Sequence, residues 1–123
     1  MMQTLVGIVR TESEMKRALE GIARLQERAE QVGVGGNREY NPGWHTGLDL
    51  ENLLTVSEAI TRSAIERRES RGGHFREDFP EKDPAGATFN VVIRKGEDGK
   101  MRLLRERVAT MPTELKRIVE EQQ

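Results

Sequence analysis

Apolar residues in the first third of the chain recur three and four positions apart, which is the spacing of one helical face. Thr11 and Glu14 have the spacing of a capping box, in which each side chain accepts from an otherwise unpaired amide. The pattern predicts an amphipathic helix over residues 11–32 that ends at Gly33. Residues 1–10 are apolar but too few for a complete helix or strand, so they are interpreted as the end of one. The apolar face consists of Met15, Ala18, Leu19, Ile22, Leu25, Ala29 and Val32.

A second helix is predicted after a loop over residues 33–41. Asn41 and Pro42 form a helix-start signal, with asparagine as the cap and proline at the first helical position. The helix is expected to run to about Ser70, with its regular part beginning near Leu48 because two glycines weaken the first turns. Its apolar face is wide enough to contact more than one neighbour. That face consists of Trp44, Leu48, Leu50, Leu53, Leu54, Val56, Ala59, Ile60 and Ala64.

The last third of the chain lacks the helical spacing of apolar residues. Residues 71–88 are rich in glycine and proline and predict an irregular segment. Residues 88–93 predict a strand, the Asp98-Gly99 pair is typical of a hairpin turn, and the return strand is expected over residues 101–108. A short helix is expected over residues 113–123.

Composition narrows the function classes. The 123 residues suffice for one domain of ordinary size, and the net charge of −1 does not indicate a nucleic-acid or membrane surface. The chain has no cysteine, which excludes disulfides and cysteine-ligated metals. No apolar run is long enough for a membrane span and no signal-peptide pattern opens the chain, so a cytoplasmic location is expected. The fifteen arginines against five lysines reflect either bidentate pairing with carboxylates at interfaces or codon bias.

Few residues are candidates for binding a nucleotide or a metal ion. The glycines over residues 33–36 lack the preceding strand and the third glycine of a dinucleotide loop, which favours a flexible connection. His45 and His74 lie 29 positions apart, and His74 has an acidic residue, Asp78, four positions on. A metal pair there is conceivable, but a hydrogen-bonding histidine in a packed loop is the simpler interpretation.

The densest group of charges lies over residues 67–80, which also contain Phe75, Phe79 and a Gly-Gly pair. One interpretation is a solvated helix end. The other is a docking surface, because exposed phenylalanines are costly and arginine pairs directionally with carboxylates.

Residues 69–80 read Glu-Ser-Arg-Gly-Gly-His-Phe-Arg-Glu-Asp-Phe-Pro. They resemble the ESRGAH-x-R-x-D-x-P signature of the succinate dehydrogenase/fumarate reductase flavoprotein family, with Gly73 where alanine is commoner. L-aspartate oxidase, a relative, carries a similar segment, but the hairpin and tail favour the first two enzymes. Further family motifs occur in the same order, at residues 6–11, 48–54, 94–103 and 111–116.

The resemblance implies a mainly α fold. We expect an antiparallel three-helix bundle like a spectrin repeat, with its first helix truncated, followed by a β-hairpin tail. Residues 1–75 would form the bundle, and residues 76–123 the irregular segment, hairpin and tail packed on it. The family has a longer helix before the first motif, which implies that Met1 lies inside a longer subunit.

The resemblance also implies a role. The whole subunit carries covalent FAD, interconverts succinate and fumarate, and passes electrons to an iron–sulfur subunit. Its flavin and substrate residues lie upstream, so no catalytic, cofactor-binding or metal-binding residue is assigned to this chain. The domain is expected to pack on the FAD-binding and capping domains of a complex that is peripheral on the cytoplasmic face of the membrane. The expected contact residues are Arg68, Glu69, Ser70, Arg71, Gly72, Gly73, His74, Arg76 and Asp78.

Two other hypotheses remain at this point. The chain could be a free-standing helical interaction module, or an unrelated small enzyme that uses His74 and nearby carboxylates. Because the first helix is nearly missing, apolar side chains of the two long helices would lack cover. We therefore expect the chain by itself to associate with a second copy.

Overall fold

Two long antiparallel helices form the frame of the protein in the computed structural model, which describes residues 1–121. A short helix precedes them, a hairpin and a terminal helix follow, and a short parallel ribbon ties the N-terminus to the loop after the second long helix. The elements are α1 Met2–Leu5, β1 Val9–Arg10, α2 Glu12–Ala29, α3 Pro42–Glu66, β2 Phe75–Arg76, a 3-10 turn Ala85–Thr88, β3 Phe89–Lys95, β4 Met101–Arg107 and α4 Thr113–Glu121.

Helix α2 begins as predicted. The Thr11 hydroxyl accepts from the Glu14 amide at 3.3 Å and donates to the Glu14 carboxylate at 2.8 Å. The helix ends at Ala29, before Gly33, so the predicted end is wrong. The amides that follow bond three residues back, from Gln31 to Arg28 and from Val32 to Ala29, which tightens and closes the last turn.

Helix α3 is regular from Pro42, six residues earlier than expected. The Asn41 side chain accepts from the Gly43 amide at 3.0 Å and caps the helix. A Cβ at Gly43 or Gly47 would lie within 3.4 Å of the Val34 side chain, so the two glycines let the preceding loop pack against the helix. The helix ends at Glu66 rather than Ser70, because Arg67 is extended.

The core lies between the two long helices and under α1. Buried Met15 and Ala18 of α2 meet Ala64 of α3 and Val6, with side chains of α1 packed around them. The short α1 therefore covers part of the face that a full first helix would cover. The mainly α fold with a truncated first helix and a hairpin tail agrees with the prediction. Among residues 1–121, no helix has both the length and the apolar character needed to cross a membrane.

The hairpin runs slightly longer than predicted on its first strand, with Phe89 paired to Arg107 and Lys95 to Met101. It attaches to α3 through Phe89, whose ring lies between the guanidinium groups of Arg67 and Arg105, at 5.1 and 4.7 Å. Helix α4 has no buried residue. The last two residues of its predicted range, 122–123, lie outside the described residues.

The parallel ribbon was not predicted. Val9 pairs with Phe75 and Arg10 with Arg76. Strands of two residues are too short to show a period of two, so the sequence pattern carries no signal for them. Because the ribbon includes residues 75 and 76, it spans the expected division between residues 1–75 and 76–123.

Candidate interdomain docking site

The nine expected contact residues follow α3 in one folded loop, which we call the signature loop (residues 68–80). Arg71 and His74 exchange backbone hydrogen bonds at 2.8 and 3.1 Å and close a tight turn at its tip. Gly72 has a φ of +59° in that turn, a conformation that suits glycine. Gly72 and Gly73 lie at the surface. The loop therefore has an exposed tip and, as follows, a buried base.

Arg76 is completely buried and forms the base of the loop. Its Nε and Nη2 donate to the two carboxylate oxygens of Asp78 at 2.6 and 2.7 Å, a bidentate pair. Its Nη1 donates to the carbonyl of Ala64 at 3.0 Å and contacts those of Ile65 and Arg67 at 3.4 and 3.3 Å. Those carbonyls belong to the C-terminal end of α3, where they lack helical partners.

Asp78 extends this link to the other long helix. Its Oδ2 accepts from the backbone amide of Glu12, the first residue of α2, at 3.0 Å. The Glu12 carboxylate lies 3.6 Å from Nη2 of Arg76. One Arg–Asp pair thus satisfies the C-terminus of α3 and the N-terminus of α2 together, and each charge has the sign that the helix end favours.

Glu69 forms a second buried centre. Its carboxylate accepts from Nη1 of Arg67 at 2.5 Å, from Nε of Arg71 at 3.0 and 3.1 Å, and from the Asp83 amide at 2.9 Å. The backbone of Gly86 lies directly against the carboxylate. Hydrogen bonds from Arg71, then from Arg67 and the Asp83 amide, hold the pKa of Glu69 at about 2 despite burial.

Ser70 joins the two centres. Its hydroxyl accepts from the Arg76 amide at 2.9 Å and donates to the Phe79 carbonyl at 2.9 Å. Its backbone amide donates to the Glu81 carbonyl at 3.0 Å. The loop is therefore held from inside by its own polar groups.

His74 is a hydrogen-bonding residue of a packed loop. Nη1 of Arg10 donates to its Nδ1 at 2.7 Å, so the ring proton lies on Nε2, which donates to the Arg67 carbonyl at 3.1 Å. Burial lowers the pKa of His74, which favours this neutral form. Both ring nitrogens are engaged and Asp78 is paired with Arg76, so the metal pair considered from sequence does not form. Within residues 1–121 no cluster of three potential metal ligands occurs.

The outward face of the loop carries residues that the predicted contact set missed. Val9 and Phe75 are register partners in the parallel ribbon, so their side chains lie on the same side. Both are exposed, Phe75 to 40%, and Ile8 beside them is more exposed still. We call Ile8, Val9 and Phe75 the ribbon patch. Phe75 could be predicted as a contact residue from its apolar side chain alone. Ile8 and Val9 could not, since the sequence gives no signal for the ribbon.

Acidification is expected to unfold the protein through the loop base. The folded-state pKa of Glu69 is about 2 against an ordinary 4.5, and that of Asp78 about 2 against 3.8. A lowered carboxyl pKa contributes stability above the ordinary value that is lost as the pH falls toward 2. The urea midpoint should therefore drop steeply between pH 4.5 and pH 2.

The Glu69→Gln variant should be less stable at neutral pH and should lose less stability on acidification. Glu27→Gln, at an exposed position of α2, is the matched control and should follow the wild-type curve. Parallel curves for wild type and Glu69→Gln would show that the Glu69 carboxylate is not an acid-sensitive link.

Comparison with known proteins identifies the fold and the loop. The family model for the fumarate reductase flavoprotein C-terminus matches residues 1–120. The succinate dehydrogenase flavoprotein subunit of Coxiella burnetii is 40% identical over 92 residues, which cover 73% of this chain and 16% of that protein. L-aspartate oxidase of Yersinia pestis is 41% identical over 76 residues, covering 62% of this chain and 13% of that protein.

The solved structure of Mycobacterium smegmatis Sdh1 in complex with UQ1 gives a TM-score of 0.87 at 37% identity. The match covers 97% of this chain and 20% of that one. Two long helices, the signature loop and a hairpin thus define the kind of domain found in large flavoprotein subunits. The chain belongs to the family of C-terminal domains of succinate dehydrogenase and fumarate reductase flavoprotein subunits.

This membership confirms the resemblance seen in the sequence and does not favour a free-standing interaction module. The chain spans a fifth or less of the length of the relatives it matches.

Proposed function

We propose that the chain acts as the non-catalytic C-terminal domain of a longer, FAD-containing subunit that interconverts succinate and fumarate. The observation that carries this proposal is the match over residues 1–120, with family motifs in order along a chain that corresponds to a fifth or less of its relatives. In this proposal FAD and substrate are held by upstream domains, and the chain alone binds neither.

The proposed task is to pack against the FAD-binding and capping domains. The contact would be formed by the exposed tip of the signature loop at Gly72 and Gly73, by exposed Arg68 at the start of the loop, and by the ribbon patch. Glu69, Ser70, Arg76 and Asp78 of the expected contact set would act from behind, because their hydrogen bonds fix the loop. A contact surface held rigid before docking loses less conformational entropy when it binds.

The proposed role as a domain of the flavoprotein subunit also implies the other subunits of the complex. The parent subunit would pass electrons to an iron–sulfur subunit and lie at the cytoplasmic face of the membrane. Other subunits would provide the membrane attachment.

A domain graft tests this proposal. The chain would replace the corresponding segment of the Coxiella burnetii succinate dehydrogenase flavoprotein subunit, which is 40% identical over 92 residues. The chimera is expected to retain FAD and to oxidise succinate with an artificial electron acceptor. Phe75→Asp in the graft should weaken docking by on the order of 2 kcal/mol and lower flavin retention on heating.

Val119→Asp on α4 is the matched control, because Val119 is 46% exposed against 40% for Phe75. It should leave flavin retention unchanged. A folded chimera without flavin or activity would refute the domain role. Equal effects of the two substitutions would refute the ribbon patch as the contact.

A further inference from the structure

Helix α3 carries an apolar stripe that the protein leaves uncovered. Leu53, Val56 and Ile60 follow each other at helical spacing and are 63%, 56% and 45% exposed. Leu54 and Thr61, which point away from the stripe, are buried, and so is Ala64, which follows Ile60 by one turn. Three large apolar side chains exposed in a row on one helix face usually mark an interaction site.

The two ends of the stripe carry opposite charges. Asp49 lies four residues before Leu53, so it continues the stripe toward the start of α3, and it is exposed. At the other end, Ile60 and Ser63 line a groove together with Arg10.

Arg10 lacks an acidic partner within residues 1–121: its guanidinium donates to the Gly7 carbonyl and to His74. Arg10 is half-buried, so its charge is only partly solvated, and this burial lowers its pKa. A carboxylate placed in this groove would offset that cost. Asp49 likewise forms no ion pair in the part of the chain that is described.

We propose that the stripe is a two-fold interface between two copies of this chain, with α3 packed antiparallel on α3 and Val56 at the axis. In this register Asp49 of one copy lies opposite Ser63 of the other, because each is seven residues, or about 10 Å, from Val56. The carboxylate then reaches the groove that contains Arg10. Leu53 of each copy meets Ile60 of the other.

We propose a second copy of the chain as the binding partner because the surface around the stripe is complementary to itself. A two-fold contact requires that whatever lies at one end of the stripe fit what lies at the other end. Here exposed Asp49 lies at one end of the stripe and the groove that contains Arg10 lies at the other end. This inference concerns the chain as it stands and is independent of the proposed function.

Cysteine cross-linking tests the register, and the chain contains no cysteine of its own. Val56→Cys places the thiols of two copies face to face at the axis, where helices packed about 8–10 Å apart bring the Cα atoms within disulfide range. Leu48→Cys is the matched control, since Leu48 and Val56 are both 56% exposed. In the proposed dimer the thiols of two Leu48→Cys chains lie about 24 Å apart along the helices.

Mild oxidation is expected to convert Val56→Cys to a covalent dimer on the order of 100-fold faster than Leu48→Cys, because a preformed contact raises the effective thiol concentration. Equal rates, or no cross-linking of either variant, would overturn the interface. This test does not depend on substituting Arg10, which also supports the fold.

Exchanging the two charges tests whether Asp49 of one copy pairs with Arg10 of the other. The readout is the sedimentation coefficient at micromolar concentration. Asp49→Arg and Arg10→Asp are each expected to weaken self-association about 10- to 100-fold, because every homodimer then contains two like-charged contacts. A mixture of the two variants should restore the dimer, since both contacts again pair opposite charges. Glu27→Arg, with the same change in net charge on an exposed face of α2, should leave the dimer intact.

A folded, monomeric mixture would refute the charge pairing. A wild-type chain that remains monomeric would show that the stripe accepts a different partner, such as an upstream domain, and would overturn the proposal as well.

Discussion

Replacing Arg76 by methionine is expected to lower the free energy of unfolding by about 2–4 kcal/mol, because Asp78 and the carbonyls at the end of α3 lose a charged hydrogen-bond donor. Arg76 is completely buried, and its guanidinium pairs with Asp78 while it donates to the Ala64 carbonyl. Methionine approximates its volume but leaves those groups without a donor. The C-terminal end of α3 and the N-terminal end of α2 should therefore be destabilised together.

Urea unfolding followed by circular dichroism measures the effect. Arg62→Met is the matched control, because Arg62 forms an exposed pair with Glu58 at 2.6 Å within one helix, and such pairs contribute about 0.5 kcal/mol. Arg76→Lys keeps the charge but cannot form the same fork and should recover only part of the loss. If the two methionine variants lose the same stability, Arg76 does not hold the helix ends.

Gly86→Ala is expected to cost about 3 kcal/mol or more, a large effect for a single methyl group. The new Cβ would overlap the Glu69 carboxylate, which cannot withdraw because Arg67 and Arg71 hold it. Either the backbone of the turn moves or the buried ion pairs open, and both outcomes are costly.

A double-mutant cycle isolates the cause. In a Glu69→Ala background the overlap disappears, so Gly86→Ala should then cost less than about 1 kcal/mol. Gly73→Ala, in the signature loop, is the matched control, because a Cβ there meets no atom within 4 Å and the substitution should change stability little. Equal costs for Gly86→Ala in both backgrounds would assign the effect to the backbone of the 3-10 turn instead.

The two long helices could be predicted because their apolar residues repeat over many turns and Thr11 and Asn41 cap them locally. The end of α3 could not be predicted, since the Ala64 carbonyl accepts from Arg76, twelve residues further along the chain. Helix ends that depend on a distant side chain leave no local signal.

The signature loop shows a second limit of sequence reasoning. Alternating arginines and carboxylates look alike in sequence whether they are solvated or paired, and here only Glu69 and Arg76 are buried. The two carboxylates that hold the loop from inside, Glu69 and Asp78, both pair with arginine. The family signature located the loop, but only the fold separates the side chains that hold it from those that face outward.

The parallel ribbon imposes an order on synthesis. Val9 and Arg10 leave the ribosome 66 residues before their pairing partners, Phe75 and Arg76, so the ribbon can close only after both long helices have emerged. Until then Val6, Met15 and Ala18 lack their core contact with Ala64 of α3. The residues before α2 are thus made well before the loop that pairs with them, and during that interval they are accessible to chaperones and proteases.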